Sequence, residues 1–367
     1  MIKFDSVTKS FGEKKVLQKL CLEVEKNEIL SLLGPNGCGK TTLLNLLSGL
    51  TRPEKGQIYI NDVLVSGDAG SKKVYLKPSE RKVGYVFQTL SLFPHMCVQN
   101  NVAYGLKAMH LTKGEVKKRT QNLLDFVGLS EYAQFYPHQL SGGQKQRTAL
   151  ARSLATEPQV LLLDEPVSAV DPQLRESFRL ELKSYLQKLK ITVVYVTHNL
   201  SEAFIMSDRI AVMGNGRIEQ IGCGADLFDK PSSKYVASFL GINAFKGKVV
   251  RAQGGLLEIE ANGTQLIAHS APNLVGKNIT ATIKPESITL SKSTDSTTSD
   301  EGNSLEGTIT QMVQMRSNAQ VTVDVGFLLK ARQPLSVIKN FGFTIGDKIL
   351  VHFSADSLNV FADDYNE

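Results

Sequence analysis

Short apolar runs that each end in a polar residue recur along the first 240 residues. They occupy residues 29–33, 82–88, 160–165 and 192–198. Runs that are apolar throughout are typical of strands buried on both faces of a parallel sheet. Between the runs, apolar positions recur every three to four residues, as in residues 146–155, which is the spacing of an amphipathic helix. This alternation predicts an α/β domain with a mostly parallel sheet over residues 1–240.

The pattern changes after residue 240. Alternating segments interrupted by glycine fill residues 242–290 and again 305–362, which predicts short antiparallel strands. The two stretches look like a weak internal duplication of a small barrel, so we expect an all-β, OB-like domain over residues 241–367. Residues 291–304 are rich in Ser and Thr and carry no apolar side chain that could pack, which predicts a linker or long loop.

Composition narrows the class of protein. The chain of 367 residues is 42% hydrophobic and 21% charged, as expected of a globular protein, and no run of 18 apolar residues predicts a membrane span. The N-terminal residues lack the apolar core of a secretory signal, so we expect a cytoplasmic protein. A net charge of +6 without a basic block argues against nucleic acid as a partner. The four cysteines lack zinc-ligand spacing.

A phosphate-binding motif follows the first apolar run. Residues 34–42, GPNGCGKTT, fit G-x-x-x-x-G-K-[ST] between a predicted strand and a predicted helix. The glycines let backbone N–H groups converge on phosphate oxygens, and the helix N-terminus adds positive potential. We expect Lys40 to reach the β- and γ-phosphates and the Thr41 hydroxyl to ligate Mg²⁺. The predicted nucleotide-binding residues of this loop are Gly34, Pro35, Asn36, Gly37, Cys38, Gly39, Lys40, Thr41 and Thr42.

Four polar residues end the other predicted strands. Asp164 is placed to hold Mg²⁺, and the carboxylate of Glu165 to orient the attacking water. Gln88 can reach the Mg²⁺ or the water through its amide oxygen, and His198 can donate a hydrogen bond to the γ-phosphate. Because the carboxyl ends of parallel strands share one edge of a sheet, we expect these four residues beside the phosphate loop as catalytic and Mg²⁺-binding groups.

A second glycine-rich turn raises a different question. LSGGQKQR at residues 140–147 opens another predicted helix, although the phosphate loop is already complete. With the glutamine at Gln88, LLLDEP at 161–166, SAVD at 168–171 and VTHN at 196–199, the first 240 residues resemble an ABC-transporter ATPase subunit. The motifs occur in the order typical of that family and cover the whole cassette, with a helical subdomain at about residues 90–157.

The resemblance implies ATP and Mg²⁺ as cofactors and a head-to-tail homodimer. In that family the second turn closes on the ATP held by the partner chain. One ATP cannot occupy two distant helix N-termini of one chain, whereas a two-fold pair satisfies both. The residues implied to act on the partner's nucleotide are Ser141, Gly142, Gly143 and Gln144, with Asp171 at the same interface, while Phe11 is implied to stack on adenine within its own chain.

Cys38 departs from the family pattern, which more often has Ser or Ala at that position. Because the backbone makes the phosphate contacts, we expect activity to survive. A thiol at a helix N-terminus can have a lowered pKa, which would make the site sensitive to oxidation.

The transport role also rests on the resemblance. Residues 88–106, Gln88 to Leu106, resemble the importer segment that receives a short helix of the membrane protein. This implies two integral-membrane permease subunits as partners, a periplasmic or extracellular substrate-binding protein acting indirectly, and a peripheral location at the cytoplasmic face of the membrane. A soluble ABC ATPase of translation or DNA repair is the alternative of another class, but such proteins usually have tandem cassettes or a coiled-coil insertion. An unrelated P-loop kinase or GTPase does not account for LSGGQ and His198.

The predicted β domain at residues 241–367, called the tail below, suggests a substrate. It resembles the accessory domain of importers for oxyanions, iron, sugars and polyamines. Residues 303–309 and 354–361 resemble a molybdate-binding fold, although that fold's Ser-Ala-Arg run is replaced by SDEG at 299–302. We expect a molybdate or tungstate importer, with sulfate, ferric iron or polyamine as alternatives. The candidate residues for a regulatory oxyanion site are Ser317, Lys330 and Arg332.

Overall fold

The computed structural model describes residues 1–69, 72–168, 170–269, 272–292 and 302–362. The chain divides into two compact units, Met1–Gly224 and Ala225–Glu367. The strands of the first unit are β1 (Ile2–Phe11), β2 (Lys14–Val24), β3 (Ile29–Leu33), β4 (Lys55–Ile60), β5 (Val63–Ala69), β6 (Lys72–Tyr75), β7 (Val83–Val86), β8 (Val160–Asp164), β9 (Thr192–Thr197), β10 (Arg209–Gly214) and β11 (Arg217–Gly222). Its helices are α1 (Lys40–Ser48), α2 (Val98–Lys107), α3 (Lys113–Phe126), α4 (Gly142–Leu154), α5 (Arg175–Leu189) and α6 (Leu200–Met206).

A six-stranded sheet forms the centre of the first unit. Its order is β11-β10-β3-β9-β8-β7, and all pairs are parallel except β10–β11. Strands β3, β8 and β9 are buried along their whole length. The predicted parallel sheet is therefore confirmed, and the four predicted strands are its neighbours β3, β9, β8 and β7. Their carboxyl ends lie along one edge of the sheet.

Apolar cores lie on both faces of this sheet. On one face, α1 contributes Leu43, Leu44 and Leu47 to a cluster that also contains side chains of the antiparallel sheet β2-β1-β4-β5-β6. On the other face, α4, α5 and α6 pack against β8 and β9. Burial on both faces fixes the strands, so the polar residues that follow them are presented at a rigid edge.

Helices α2, α3 and α4 enclose a core of their own. It includes Val102, Leu106, Leu124 and Ala151, all of which are nearly inaccessible to solvent. The sequence predicts a helical subdomain over about residues 90–157, and these three helices lie within that range. Because α4 also packs against the sheet, it connects this core to the centre of the unit.

The second unit is built mainly from antiparallel strands. These are β12 (Asn243–Gln253), β13 (Leu256–Ala261), β14 (Thr264–His269), β15 (Asn278–Ile283), β16 (Thr289–Lys292), β17 (Gly302–Gln314), β18 (Asn318–Asp324), β19 (Leu328–Pro334), β20 (Lys348–Ser354) and β21 (Leu358–Ala362). Its helices are α7 (Gly224–Asp229, beginning at the last residue of the first unit), α8 (Lys234–Phe239) and α9 (Leu335–Phe341).

The internal duplication is visible as a repeated topology. One sheet has the order β14-β13-β12-β15-β21 and the other β19-β18-β17-β20-β16, so the first four strands of the second sheet repeat those of the first with numbers higher by five. Each sheet takes its last strand from the other half, because β21 pairs with β15 and β16 pairs with β20. Both sheets share one apolar core. In each sheet the two edge strands approach each other, which supports a barrel, while its OB-like character stays a prediction.

Two buried asparagines connect the two halves. The Asn243 amide donates to the backbone oxygen of Lys330 and accepts from its backbone N–H, both at 2.8 Å. Asn303 makes the same pair of bonds with Ile267, at 2.8 and 2.7 Å. Asn243 begins β12 and Asn303 lies at the start of β17, so the repeat extends to individual hydrogen bonds.

Two boundaries differ from the sequence-based prediction. The units divide after Gly224 rather than at residue 240, because α8 packs on β12 and Asp229 is hydrogen bonded to Lys284 and Asn359. The predicted loop 291–304 is strand at both ends, since β16 extends to Lys292 and β17 begins at Gly302. Residues 293–301 of that loop lie outside the described residues. Among the residues described, no helix is long and apolar enough to cross a bilayer.

Candidate active site

The phosphate loop connects the buried strand β3 to helix α1, as the motif predicts. Gly39, the residue before α1, has a φ of 112°, and a Cβ at this position would lie 2.7 Å from Leu17 Cδ2. Both the backbone angle and the space therefore require glycine. No side chain caps the N-terminus of α1. The N–H groups of its first turn thus remain available for phosphate oxygens.

Lys40 lies folded over the same loop. Its Nζ donates to the backbone oxygens of Gly34 and Pro35 at 2.8 and 2.9 Å, and the side chain is only 7% exposed. Carbonyl oxygens fix the ammonium without neutralising its charge. The loop therefore presents one positive charge in addition to its N–H groups.

Asp164 ends β8 in a buried position next to the loop. Burial raises the pKa of its carboxyl above the ordinary value, and the charge of Glu165 raises it further. Hydrogen bonding to the Thr41 hydroxyl and the charge of Lys40 act in the opposite direction. A buried carboxylate that is only partly compensated favours the arrival of a cation.

Glu165 is hydrogen bonded to Gln88 and His198, the two other polar residues that the sequence predicts at this edge of the sheet. Gln88 Nε2 donates to its Oε2 at 2.9 Å, and His198 Nδ1 lies 2.9 Å from its Oε1. Its backbone N–H donates to Val196 at 3.0 Å, and its φ is 47°, in the left-handed region. A non-glycine residue keeps this strained conformation only where the surroundings fix it. The carboxylate of Glu165 is therefore fixed in position at the edge of the sheet.

These groups line one cavity of about 530 Å³. The predicted residues in its wall are Phe11, Asn36, Gly37, Gly39, Lys40, Thr41, Thr42, Gln88, Asp164, Glu165 and His198. Gly34 and Pro35 contribute the carbonyl groups that hold Lys40. The wall also contains Lys14, Val16 and Val196, which the sequence did not single out. Lys14 and Val16 lie on β2, directly after the turn that follows Phe11. The position of this turn beside an exposed aromatic residue was the sequence feature that could have identified them.

The residues present fit ATP with Mg²⁺. The hydroxyl of Thr41, the carboxylate of Asp164 and the amide of Gln88 are oxygen donors of the type that Mg²⁺ prefers. The uncapped N-terminus of α1 and Lys40 suit a polyphosphate, and Phe11, with 53% of its surface exposed, offers an aromatic face for a base.

The second glycine-rich turn lies apart from this cavity. Ser141 is the N-cap of α4; its hydroxyl accepts from the Gln144 N–H at 3.3 Å, and its N–H donates to Gln144 Oε1 at 2.8 Å. Asp171 is exposed and accepts from the Gln173 N–H at 2.9 Å. Within the described part of the chain, neither these residues nor Gly142 and Gly143 line the cavity.

One expectation about a single residue, Cys38, changes. Burial is the main influence on the Cys38 thiol and raises its pKa, although Lys40 acts in the opposite direction. The lowered pKa expected from the helix N-terminus is therefore wrong for this structure, because the side chain is only 6% exposed.

Two of the three anion candidates of the tail, Lys330 and Arg332, lie two residues apart on β19 and therefore on the same face of that strand. Arg332 is paired with Glu286 at 2.5 Å, so its charge is already balanced. On the β18–β19 ladder Lys330 is opposite Thr322, whereas Ser317 lies beyond the Asn318 end. A regulatory oxyanion site formed by these three residues stays a prediction.

Comparison with known proteins places the chain in a family. The family model described as ABC transporter matches residues 17–168. The spermidine/putrescine import ATP-binding protein PotA of Thermobifida fusca is 38% identical over 328 residues, covering 88% of this chain and 83% of that protein. PotA of Mesorhizobium japonicum is 38% identical over 357 residues, 96% of this chain and 94% of that protein. The trehalose/maltose import ATP-binding protein MalK of Thermococcus litoralis is 38% identical over 293 residues, 78% of each.

Solved structures of ATP-binding cassettes are also similar to this chain. The ATP-binding cassette MJ0796, a dimer in a post-hydrolysis state with ADP and Pi, is 32% identical with a TM-score of 0.53, covering 61% of this chain and 98% of that one. CbiO1 of Clostridium perfringens is 29% identical with a TM-score of 0.56, covering 62% and 90%. The chain belongs to the ATP-binding subunits of ABC importers, which bind ATP with Mg²⁺ and hydrolyse it to drive transport.

Proposed function

We propose that this subunit powers the import of a polyamine of the spermidine/putrescine class. The observation that carries the proposal is the extent of the similarity to PotA of Mesorhizobium japonicum, which covers 94% of that protein and so includes its tail. The trehalose/maltose relative is equally identical but over 78% of the chain. A sugar is therefore the second candidate.

The expected molybdate or tungstate specificity is not retained. The relatives named above import polyamines or sugars. Within the tail, the Glu286 carboxylate that pairs with Arg332 weakens the attraction of this arginine for an oxyanion. The resemblance of short segments to a molybdate-binding fold reflects shared β architecture, which does not fix a ligand.

For hydrolysis, we assign Glu165 as the residue that orients the attacking water and accepts its proton at a carboxylate oxygen. Gln88 and His198 hold that carboxylate in place at 2.9 Å on either side. Thr41, Asp164 and Gln88 are the proposed Mg²⁺ ligands. These three residues would hold the Mg²⁺, which would supply positive charge to the phosphates during hydrolysis.

We propose that Ser141, Gly142, Gly143, Gln144 and Asp171 act on the nucleotide of a second copy of the chain. Gly143 supports this arrangement. A Cβ there would meet nothing within 4 Å, and its φ is not in the left-handed region. Glycine inside a helix costs about 1 kcal/mol relative to alanine, and no contact among the described residues requires glycine here. Close approach of a group from outside the chain is a reason for a glycine at this position.

We propose residues 88–106 as the surface for the permease subunits, at the cytoplasmic face of the membrane. The rings of Phe93 and Tyr104 contact each other at a tilt of 43° with their centres 4.5 Å apart, and Tyr104 is 51% exposed. Exposed aromatic side chains are enriched at protein interfaces. This surface begins at Gln88, so binding of a permease subunit to the surface and the position of Gln88 are linked along the chain.

An uptake assay tests the substrate. In cells that keep the permease and binding protein but lack this subunit, reintroducing the chain is expected to restore ATP-dependent uptake of labelled spermidine or putrescine. The Glu165→Gln chain serves as the matched inactive control. Restored uptake of maltose or trehalose without polyamine would replace the proposal by its second candidate, and restored uptake of molybdate alone would contradict both.

A further inference from the structure

We propose that Arg152 is a positioning residue for hydrolysis. Arg152 lies on the helix that begins at the LSGGQ turn, and it fixes the loop that presents Gln88. The inference rests on the role proposed above for Gln88.

Arg152 forms a two-pronged contact with this loop. Its Nη2 donates to the backbone oxygen of Leu90 at 2.8 Å, and its Nη1 donates to that of Ser91 at 2.7 Å. The guanidinium also lies over the ring of Phe93, 5.4 Å from its centre. Among the described residues Arg152 has no acidic partner within ion-pair distance. Its hydrogen bonds therefore serve the loop and not a charge pair.

The loop needs such support. Leu90 and Ser91 have φ values of 60° and 44°, so two consecutive non-glycine residues lie in the left-handed region. Each costs on the order of 1–3 kcal/mol and persists only when its surroundings fix it. Leu90 is buried in the core beside β8, whereas Ser91 is exposed. For Ser91, the bond from Arg152 is the principal restraint that the structure shows, together with a hydroxyl contact to Thr89 at 2.9 Å.

A short chain of contacts connects Arg152 to Glu165. The N–H of Leu90 donates to the oxygen of Phe87 at 2.8 Å, which closes the turn that contains Gln88. Gln88 in turn donates to Glu165. Arg152 lies in the last turn of α4, and Ser141 is the N-cap of the same helix. One rigid helix thus carries both the LSGGQ turn and the group that fixes the Gln88 loop.

Arginine is required for this geometry. A guanidinium presents two parallel donors to two carbonyl oxygens, whereas a lysine ammonium is a single point charge. Arg152→Lys is therefore expected to lower kcat for ATP about ten- to a hundredfold, since small displacements of positioning groups have effects of this size. The KM for ATP is expected to stay within about twofold, because the phosphate loop is untouched. Arg119→Lys is the matched control, because Arg119 is a partly exposed arginine of the same subdomain that is paired with Glu157.

Two further readouts separate positioning from simple stability. Amide hydrogen exchange is expected to rise in residues 88–93 of the Arg152→Lys chain and not across α2 and α3. Ser91→Gly added to Arg152→Lys is expected to restore part of kcat, because glycine adopts the left-handed conformation without strain. Lys190→Gly, which relieves the same type of strain at the exposed C-terminus of α5, is expected to restore none.

The inference is overturned by a normal kcat in Arg152→Lys, by exchange that rises equally throughout the helical subdomain, or by equal effects of Ser91→Gly and Lys190→Gly. A parallel Gln88→Ala chain tests the proposed role of Gln88 separately from that of Arg152. Full turnover in Gln88→Ala would remove the proposed role of Gln88, whereas the exchange of residues 88–93 still decides whether Arg152 holds the loop.

Discussion

At the scale of single residues, the chemistry depends on two adjacent carboxylates in different surroundings. Asp164 is buried beside Lys40 and Thr41, whereas Glu165 reaches the cavity between Gln88 and His198. The first suits a cation and the second suits a water molecule. The surroundings of the two carboxylates differ because β8 ends at Asp164 and the chain turns at Glu165.

Glu165→Gln is expected to retain ATP binding and to lose at least about a hundredfold in turnover, because an amide cannot accept the proton of the attacking water. Steady-state hydrolysis and equilibrium nucleotide binding measure the two effects. Glu176→Gln, at an exposed position in the first turn of α5, controls for loss of a charge. Near-normal hydrolysis in the Glu165 variant would remove this residue from its assigned role.

Asp164→Asn is expected to raise the unfolding midpoint of the nucleotide-free chain at neutral pH while abolishing Mg²⁺-dependent hydrolysis. The ordinary pKa of aspartate is about 3.9, and the fold raises that of Asp164. Ionisation therefore opposes folding; this cost is fully present above the folded pKa and absent below the unfolded one. Thermal unfolding at about pH 7 and about pH 4 measures the difference between the chains. A gain as large at the acidic pH as at neutral pH contradicts burial of the charge as its cause.

At the scale of elements, the first turns of α3 and α4 have the same local design. Each begins with a capping box, Thr112 with Glu115 and Ser141 with Gln144, and each has a glycine at its second position. Neither Gly114 nor Gly143 would bring a Cβ within 4 Å of another atom. The two helices therefore form a matched pair in which only one is proposed to meet a nucleotide.

Gly143→Asp is expected to leave the chain at least as stable, since glycine is a poor helix former and an acidic side chain suits a helix N-terminus. Turnover is expected to fall at least about tenfold, because the carboxylate would repel the partner's γ-phosphate. Gly114→Asp makes the same change on α3 and is expected to keep full turnover. Thermal unfolding and ATP hydrolysis of both chains check this, and equal activities would argue against a phosphate at Gly143.

The sequence predicted these elements unequally well. The four strands and their polar ends were predictable because continuous apolar runs and the P-loop motif are local signals. The left-handed backbone of Glu165 and the wall residues Lys14 and Val16 were not, because they depend on how neighbouring elements meet. The exchange of β16 and β21 was also beyond local pattern, since alternation identifies a strand but not its partner. The hydrogen bonds of Asn243 and Asn303 were not predictable either, because their partners lie in the other half of the repeat.

At the scale of the whole molecule, the central claim is that one chain holds two halves of different sites. The cavity contains the phosphate loop, Asp164 and Glu165, while the LSGGQ turn lies outside it. We propose that a head-to-tail pair would complete two sites with the same contacts. The similar cassette MJ0796 was solved as a dimer with ADP and Pi, which supports this arrangement.

Mixing two inactive chains tests this claim most directly. Ser141→Arg blocks the turn and Lys40→Ala disables the phosphate loop, so each homodimer is expected to be nearly inactive. A heterodimer has one intact composite site, and random pairing is expected to restore up to about a quarter of wild-type turnover. A mixture of Ser141→Arg and Gly143→Asp chains, which share the defective half, is the control without an intact site. Hydrolysis in the first mixture no higher than the average of its separate chains would contradict the account.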